Sequence, residues 1–149
     1  MTNKLLDQAQ HVRRGEELNT EAVNSWLQSQ ISDLSGTPQV TQYSGGASNW
    51  TYCLDYPDQA LILRRGPEGT KAKGAHDMGR EYRLQKALRP VYSYVPDMKA
   101  YCEDSNVIGS EFYVMEKLTG IIPRKNLPKE LAITSTQTRQ LCENFLDCL

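Results

Sequence analysis

At 149 residues the chain is long enough to bury one ordinary core and short for a complete two-lobed enzyme. Its 17 Lys and Arg against 18 Asp and Glu leave a net charge of -1, which gives no electrostatic case for nucleic acid or an anionic membrane as a main partner. The longest apolar runs, such as 60–63, fall far below the ~20 residues that span a bilayer, and the polar start lacks a signal-peptide apolar region; the chain reads as cytoplasmic.

Residues 1–18 form a polar lead with little periodicity, read as mobile or as a short peripheral helix. Asn19 or Thr20 then offers an N-cap, Glu21 suits the positive end of a helix, and Val23, Trp26, Leu27, Ile31 and Leu34 follow at helical spacing until Gly36-Thr37-Pro38. A strand begins at Gln39 and enters the turn Ser44-Gly45-Gly46-Ala47-Ser48-Asn49. Trp50, Tyr52 and Leu54 alternate along the strand that leaves it, so the pair reads as a hairpin. Pro57-Asp58 makes a second turn before a third strand, Ala60 to Arg65.

Residues 67–74 are Gly- and Lys-rich and read as a loop before a helix that starts near His76 or Asp77 and ends about Leu88, ahead of Pro90. Strands at Met98–Cys102 and Phe112–Glu116 follow, joined through Glu103-Asp104-Ser105-Asn106. Pro123 and Pro128 mark a loop, and a last helix starts about Ser135 with Leu141, Phe145, Leu146 and Leu149 as its apolar positions. An apolar stripe still running at Leu149 is expected of a fragment boundary. The fold expected is α+β: a five-stranded antiparallel sheet packed by one main helix, with an N-terminal helix before it. Residues 19–118 would form this domain, and 119–149 a linker and the first helix of a further lobe.

Three features bear chemistry. In the glycine turn, small residues let backbone N–H groups approach phosphate oxygens, and Ser48 adds a hydroxyl donor; an ordinary Gly-Gly hairpin has the same sequence. In the third strand, residues two apart share a face, so Ile62 and Arg64 point the same way, although the adjacent Arg65 leaves the register open by one. Glu81 lies on the helix with Leu84, Ala87 and Leu88 at inward spacing, where it meets Arg64 or, as an exposed helical acid, pairs with Arg80 or Arg83. Cys53, Cys102, Cys142 and Cys148 include no Cys-x-x-Cys pair and stand at no ligand spacing with His11 or His76, so they are read as reduced thiols rather than a zinc site.

Taken in order, the stretches 43–52, 61–67, 79–83 and 112–116 resemble the aminoglycoside phosphotransferase and choline kinase superfamily, and within it the phosphotransferase-like domains found beside acyl-CoA dehydrogenases. The resemblance covers residues 20–149 and implies a kinase-like N-terminal lobe that binds ATP. It implies that Ser44, Gly45, Gly46, Ala47, Ser48 and Asn49 cradle the phosphates, that Ile62 covers the adenine, and that Arg64 replaces the usual kinase lysine with Glu81 to orient it. In Met115-Glu116-Lys117-Leu118 the Glu116 carbonyl and the Leu118 N–H would contact the base while Met115 walls the pocket; alternatively Met115 is plain core filling.

No His-Gly-Asp-type loop with a downstream Asn, and no later metal-binding Asp, occurs in this sequence. Since phosphoryl transfer rests on positioning and charge neutralisation, a lobe without base or magnesium ligands is expected to be inert by itself, Mg²⁺ being held by the missing lobe. The whole enzyme would pass a γ-phosphoryl group to a hydroxyl of a small-molecule substrate. The rival reading is a non-catalytic kinase-like binding or interaction module. A homodimer hiding the unfinished face is compatible with either.

Overall fold

The computed structural model describes residues 5–44, 49–67, 77–122 and 126–148. The chain divides into two compact units, Gln8–Leu118 on one hand and Met1–Asp7 with Thr119–Leu149 on the other.

The first unit is a five-stranded antiparallel sheet between helical layers. Helix α1 (Thr20–Gln30) precedes strands β1 (Gln39–Gln42), β2 (Trp50–Asp55) and β3 (Ala60–Arg65); helix α2 (Met78–Leu88) precedes β4 (Met98–Cys102) and β5 (Phe112–Glu116). The strand order is β1-β2-β3-β5-β4, which places β3 at the centre. Alternation splits β3 between two faces. Leu61 and Leu63 enter the main core with Tyr52, Leu54, Phe112 and Val114 from neighbouring strands and Val23 and Leu27 from α1. Trp26 closes this layer edge-on against Phe112 at 5.1 Å between ring centroids. On the other face α2 lays Met78 against Tyr113 and Met98, with Tyr82, Tyr101 and Met115 around them.

Local chemistry sets the helix starts. Asn19 Oδ1 accepts from the Ala22 N–H at 3.1 Å and Asp77 Oδ1 from the Arg80 N–H at 2.7 Å, each satisfying a donor that the first helical turn leaves open. The end of α1 corrects the expected extent: the chain leaves the helix at Ile31, in an extended conformation, and Leu34 is buried from the loop instead. Asn24 and Gln28 side chains donate to the Gly36 carbonyl at 3.1 and 3.0 Å, which ties that loop back onto the helix.

The lead from Gln8 onward is neither a free tail nor a helix. Gln10 exchanges two backbone hydrogen bonds of 2.8 Å with Gln42, so the outer edge of β1 is paired there. Gln42, 2% exposed, accepts from the Arg13 N–H through Oε1 and donates to Glu16 through Nε2. Tyr52 Oη donates to the Glu16 carbonyl at 2.7 Å, while Val12 and Leu18 pack on the main core.

In the second unit, a 3-10 turn (Lys129–Leu131) is followed by helix α3 (Ser135–Asp147). Thr134 and Gln137 form a reciprocal capping box at its start. Leu141, Phe145 and Leu146 are exposed on this helix. Among the described residues no helix is long and apolar enough to cross a membrane.

Candidate functional site

The centre of the candidate site is the end of β3. Arg64 and Arg65, adjacent in sequence, go to opposite faces of the sheet. Arg65 is 1% exposed; its guanidinium stacks over Trp50 at 4.6 Å, lies 5.9 Å from the Tyr52 ring and donates to the Ile108 carbonyl at 3.0 Å. Arg64 lies on the α2 face, its side chain one third exposed, with Nη2 3.8 Å from Glu81 Oε2. That separation is an ion pair without a hydrogen bond. The register left open by the dipeptide is thus resolved at the level of position: Arg64 stands with Glu81, and Arg65 is built into the core face.

Glu81 owes its place to α2. Asp77 caps the helix, Met78 is fully buried beneath its first turn, and Gly79 brings that turn close to β4, where an added Cβ would stand 2.6 Å from Tyr101 Oη. One turn on, the Glu81 carboxylate overhangs β3 and β5. Asn49 Nδ2 donates to its Oε1 at 3.1 Å and Tyr113 Oη to its Oε2 at 2.9 Å. Gln85, four residues further along α2, directs Nε2 to Tyr113 Oη and to the Glu81 carbonyl, each at 3.4 Å. Burial pushes the Tyr113 phenol up to about 12, so it remains a proton donor throughout the neutral range.

Beyond Arg64 the same face carries a strip across three strands. Cys53, Ile62 and Met115 are register partners on β2, β3 and β5. Ile62 is buried, and Met115 is half-buried and packs with the Met78, Met98 and Tyr113 cluster. Burial raises the Cys53 thiol above its usual range, and it stays protonated at neutral pH. Glu116 has a structural task in its side chain: Oε1 accepts the Asp97 N–H at 2.9 Å and lies 3.6 Å from Arg89 Nη2, tying β5 to the start of β4 and the end of α2. Leu118 is exposed.

The structure therefore brings Asn49, Arg64 and Glu81 together and lines Ile62 and Met115 beside them. Ser44 is exposed at the end of β1, while Gly45, Gly46, Ala47 and Ser48 lie outside the described residues. Tyr113 and Gln85 were not singled out by sequence. Tyr113 carried a usable signal, since it lies two residues before Met115 and so shares its face. Arg64 Nε is closed to solvent and has no hydrogen-bond partner among the described residues. A buried donor of this kind suits an anionic oxygen, on a side chain that is itself one third exposed. No group of three or more His, Cys, Asp or Glu placed to hold a metal ion occurs among the described residues.

The model of the phosphotransferase enzyme family matches residues 39–149. Acyl-CoA dehydrogenase family member 11 of Gallus gallus is 46% identical over 89 residues, 60% of this chain and 12% of that protein. Acyl-CoA dehydrogenase family member 10 of Mus musculus is 38% identical over 112 residues, 74% of this chain and 10% of that protein. Among solved structures, one from Ralstonia eutropha JMP134 ascribed to an aminoglycoside phosphotransferase superposes with a TM-score of 0.62 at 34% identity, covering 72% of this chain and 30% of that one. The chain thus spans about a tenth of these curated relatives and under a third of the solved neighbour. Its sheet and packed helix are those of a kinase-like α+β N-terminal lobe.

Proposed function

The chain belongs to the phosphotransferase enzyme family, and from that premise we propose that residues 19–118 are an ATP-binding lobe in which Arg64 engages the phosphates. One observation carries the reading. On a half-open face of the central strand, a guanidinium is held 3.8 Å from a helical carboxylate, with a shielded N–H left over for another acceptor. A planar guanidinium offers two parallel donors to a phosphate, and Glu81 limits the directions in which it can swing.

In this reading the strip of Ile62 and Met115 covers the adenine, and the main-chain groups of Glu116 and Leu118 meet the edge of the base. That the Glu116 carboxylate is occupied elsewhere fits recognition by its backbone. The turn Ser44 to Asn49 closes over the phosphates with its N–H groups. Arg64 neutralises charge on the bound triphosphate, and Mg²⁺ would supply the remaining neutralisation through ligands outside residues 1–149. The whole protein would transfer the γ-phosphoryl group to the hydroxyl of a small molecule, with the base that accepts the hydroxyl proton also supplied from beyond this chain.

Calorimetric titration of the 149-residue chain with magnesium-ATP and with adenosine tests this. Binding with a preference for the triphosphate is expected. Absence of nucleotide binding would favour a kinase-like interaction module instead.

A further inference from the structure

Glu81 is bound from two sides by neutral donors, while the cation it is expected to hold stands off. Asn49, at the foot of the glycine turn, takes Oε1 at 3.1 Å; Tyr113, on β5, takes Oε2 at 2.9 Å; Arg64 Nη2 lies 3.8 Å from Oε2. A glutamate on a helix surface normally samples several rotamers, and a carboxylate fixed at both oxygens does not. Its charge is therefore fixed in direction. Arg64, attracted without being hydrogen-bonded to it, keeps its Nε donor without a partner among the described residues. Both anchors are themselves buried: Asn49 is 6% exposed and Tyr113 is fully buried. Gln85 braces the phenol from the next turn of α2.

We propose that Tyr113 and Asn49 are positioning residues for Arg64: by fixing both oxygens of Glu81 they present the Arg64 guanidinium to a nucleotide phosphate instead of letting it close into a hydrogen-bonded pair with the carboxylate. This rests on the phosphate role of Arg64 proposed above.

The test is titration of the 149-residue chain, Tyr113→Phe, Asn49→Ala, Arg64→Ala and the Tyr113→Phe/Arg64→Ala double variant with magnesium-ATP and with adenosine. Tyr113→Phe removes one hydroxyl and keeps the packed ring. Loss of one hydrogen bond to a charged group is expected to weaken magnesium-ATP binding about tenfold, with adenosine binding unchanged. On the Arg64→Ala background the same substitution is expected to add nothing, because its effect runs through Arg64. Asn49→Ala is expected to behave alike and decides the question if Tyr113→Phe fails to fold. If the triphosphate preference depends on Arg64 yet neither substitution alters it, the positioning role is overturned and the nucleotide reading stands. Equal losses for ATP and adenosine, or a loss that persists without Arg64, would reduce the two residues to a structural role. Binding indifferent to Arg64 would overturn both readings.

Discussion

Tyr113 stands opposite Arg64 across the β3–β5 pair, and both side chains converge on one oxygen of Glu81, the phenol at 2.9 Å and the guanidinium at 3.8 Å. Two periodicities produce this meeting. Directly opposed residues of an antiparallel pair share a face, and α2 crosses that face with Glu81 one turn above its buried Met78. The next residue along β3, Arg65, is carried by the same alternation into the opposite layer. One dipeptide thus supplies a cation to the site and a cation to the core.

That division predicts opposite phenotypes for the two arginines. Arg65→Ala removes the stack on Trp50 and leaves the Ile108 carbonyl without its donor, so a loss of about 2–4 kcal/mol is expected in urea unfolding. Arg64→Ala opens a pair whose side chains are each about one third exposed and is expected to cost less than about 1 kcal/mol. Equal costs would contradict the assignment of the two residues to different faces.

Gly79→Ala tests the approach of α2 to β4. In an exposed helix interior this change stabilises by about 1 kcal/mol. Here the added Cβ would meet Tyr101 Oη at 2.6 Å and Cζ at 3.0 Å, and that phenol is held by Glu111 at 2.7 Å. The Arg83 end at 2.8 Å can move; the ring cannot without breaking its bond and its stack on Tyr82. A net loss of about 1–3 kcal/mol is expected from thermal unfolding, with weakened triphosphate binding as Glu81 shifts. A stabilised variant would show that the helix retreats freely.

Much of this architecture is legible in the sequence, and the exceptions share a cause. β4, β5, the start of α2 and the cap of α1 follow from alternation, Asp77 and Asn19, which are local signals. The docked lead does not, because its residues are ordered by pairing with Gln42 about thirty positions away. The early end of α1 depends on the Gly36 carbonyl, again a contact across a loop. At the candidate site, the approach of Arg64 to Glu81 follows from motif order, whereas the Asn49 amide reads in sequence only as the end of the glycine turn and the Tyr113 hydroxyl as one more strand aromatic, until the fold places both beside Glu81.

The lead also carries a pH dependence. The Arg13 guanidinium, donating to Glu16 at 2.8 Å, holds that carboxyl below its ordinary range; burial opposes and Gln42 adds to the effect. Because the folded value is depressed, this contribution to stability is present above the unfolded glutamate value of about 4.3 and is lost as pH falls through the folded value. The protection of the Gln10 and Gln42 amides against exchange, taken relative to an unstructured chain at the same pH, is expected to fall on acidification in the native sequence. In Glu16→Gln the part due to this residue is expected to vanish. The same acid response in both proteins would exclude Glu16 as its source.

Whether Arg64 grips phosphate is read most directly from the magnesium-ATP affinity of Arg64→Ala against the native chain, with adenosine as the reference ligand. Removing a charge-assisted contact of about 1.5–3 kcal/mol predicts a loss of roughly tenfold to a hundredfold for the triphosphate and none for adenosine. Unchanged magnesium-ATP affinity would contradict the claim.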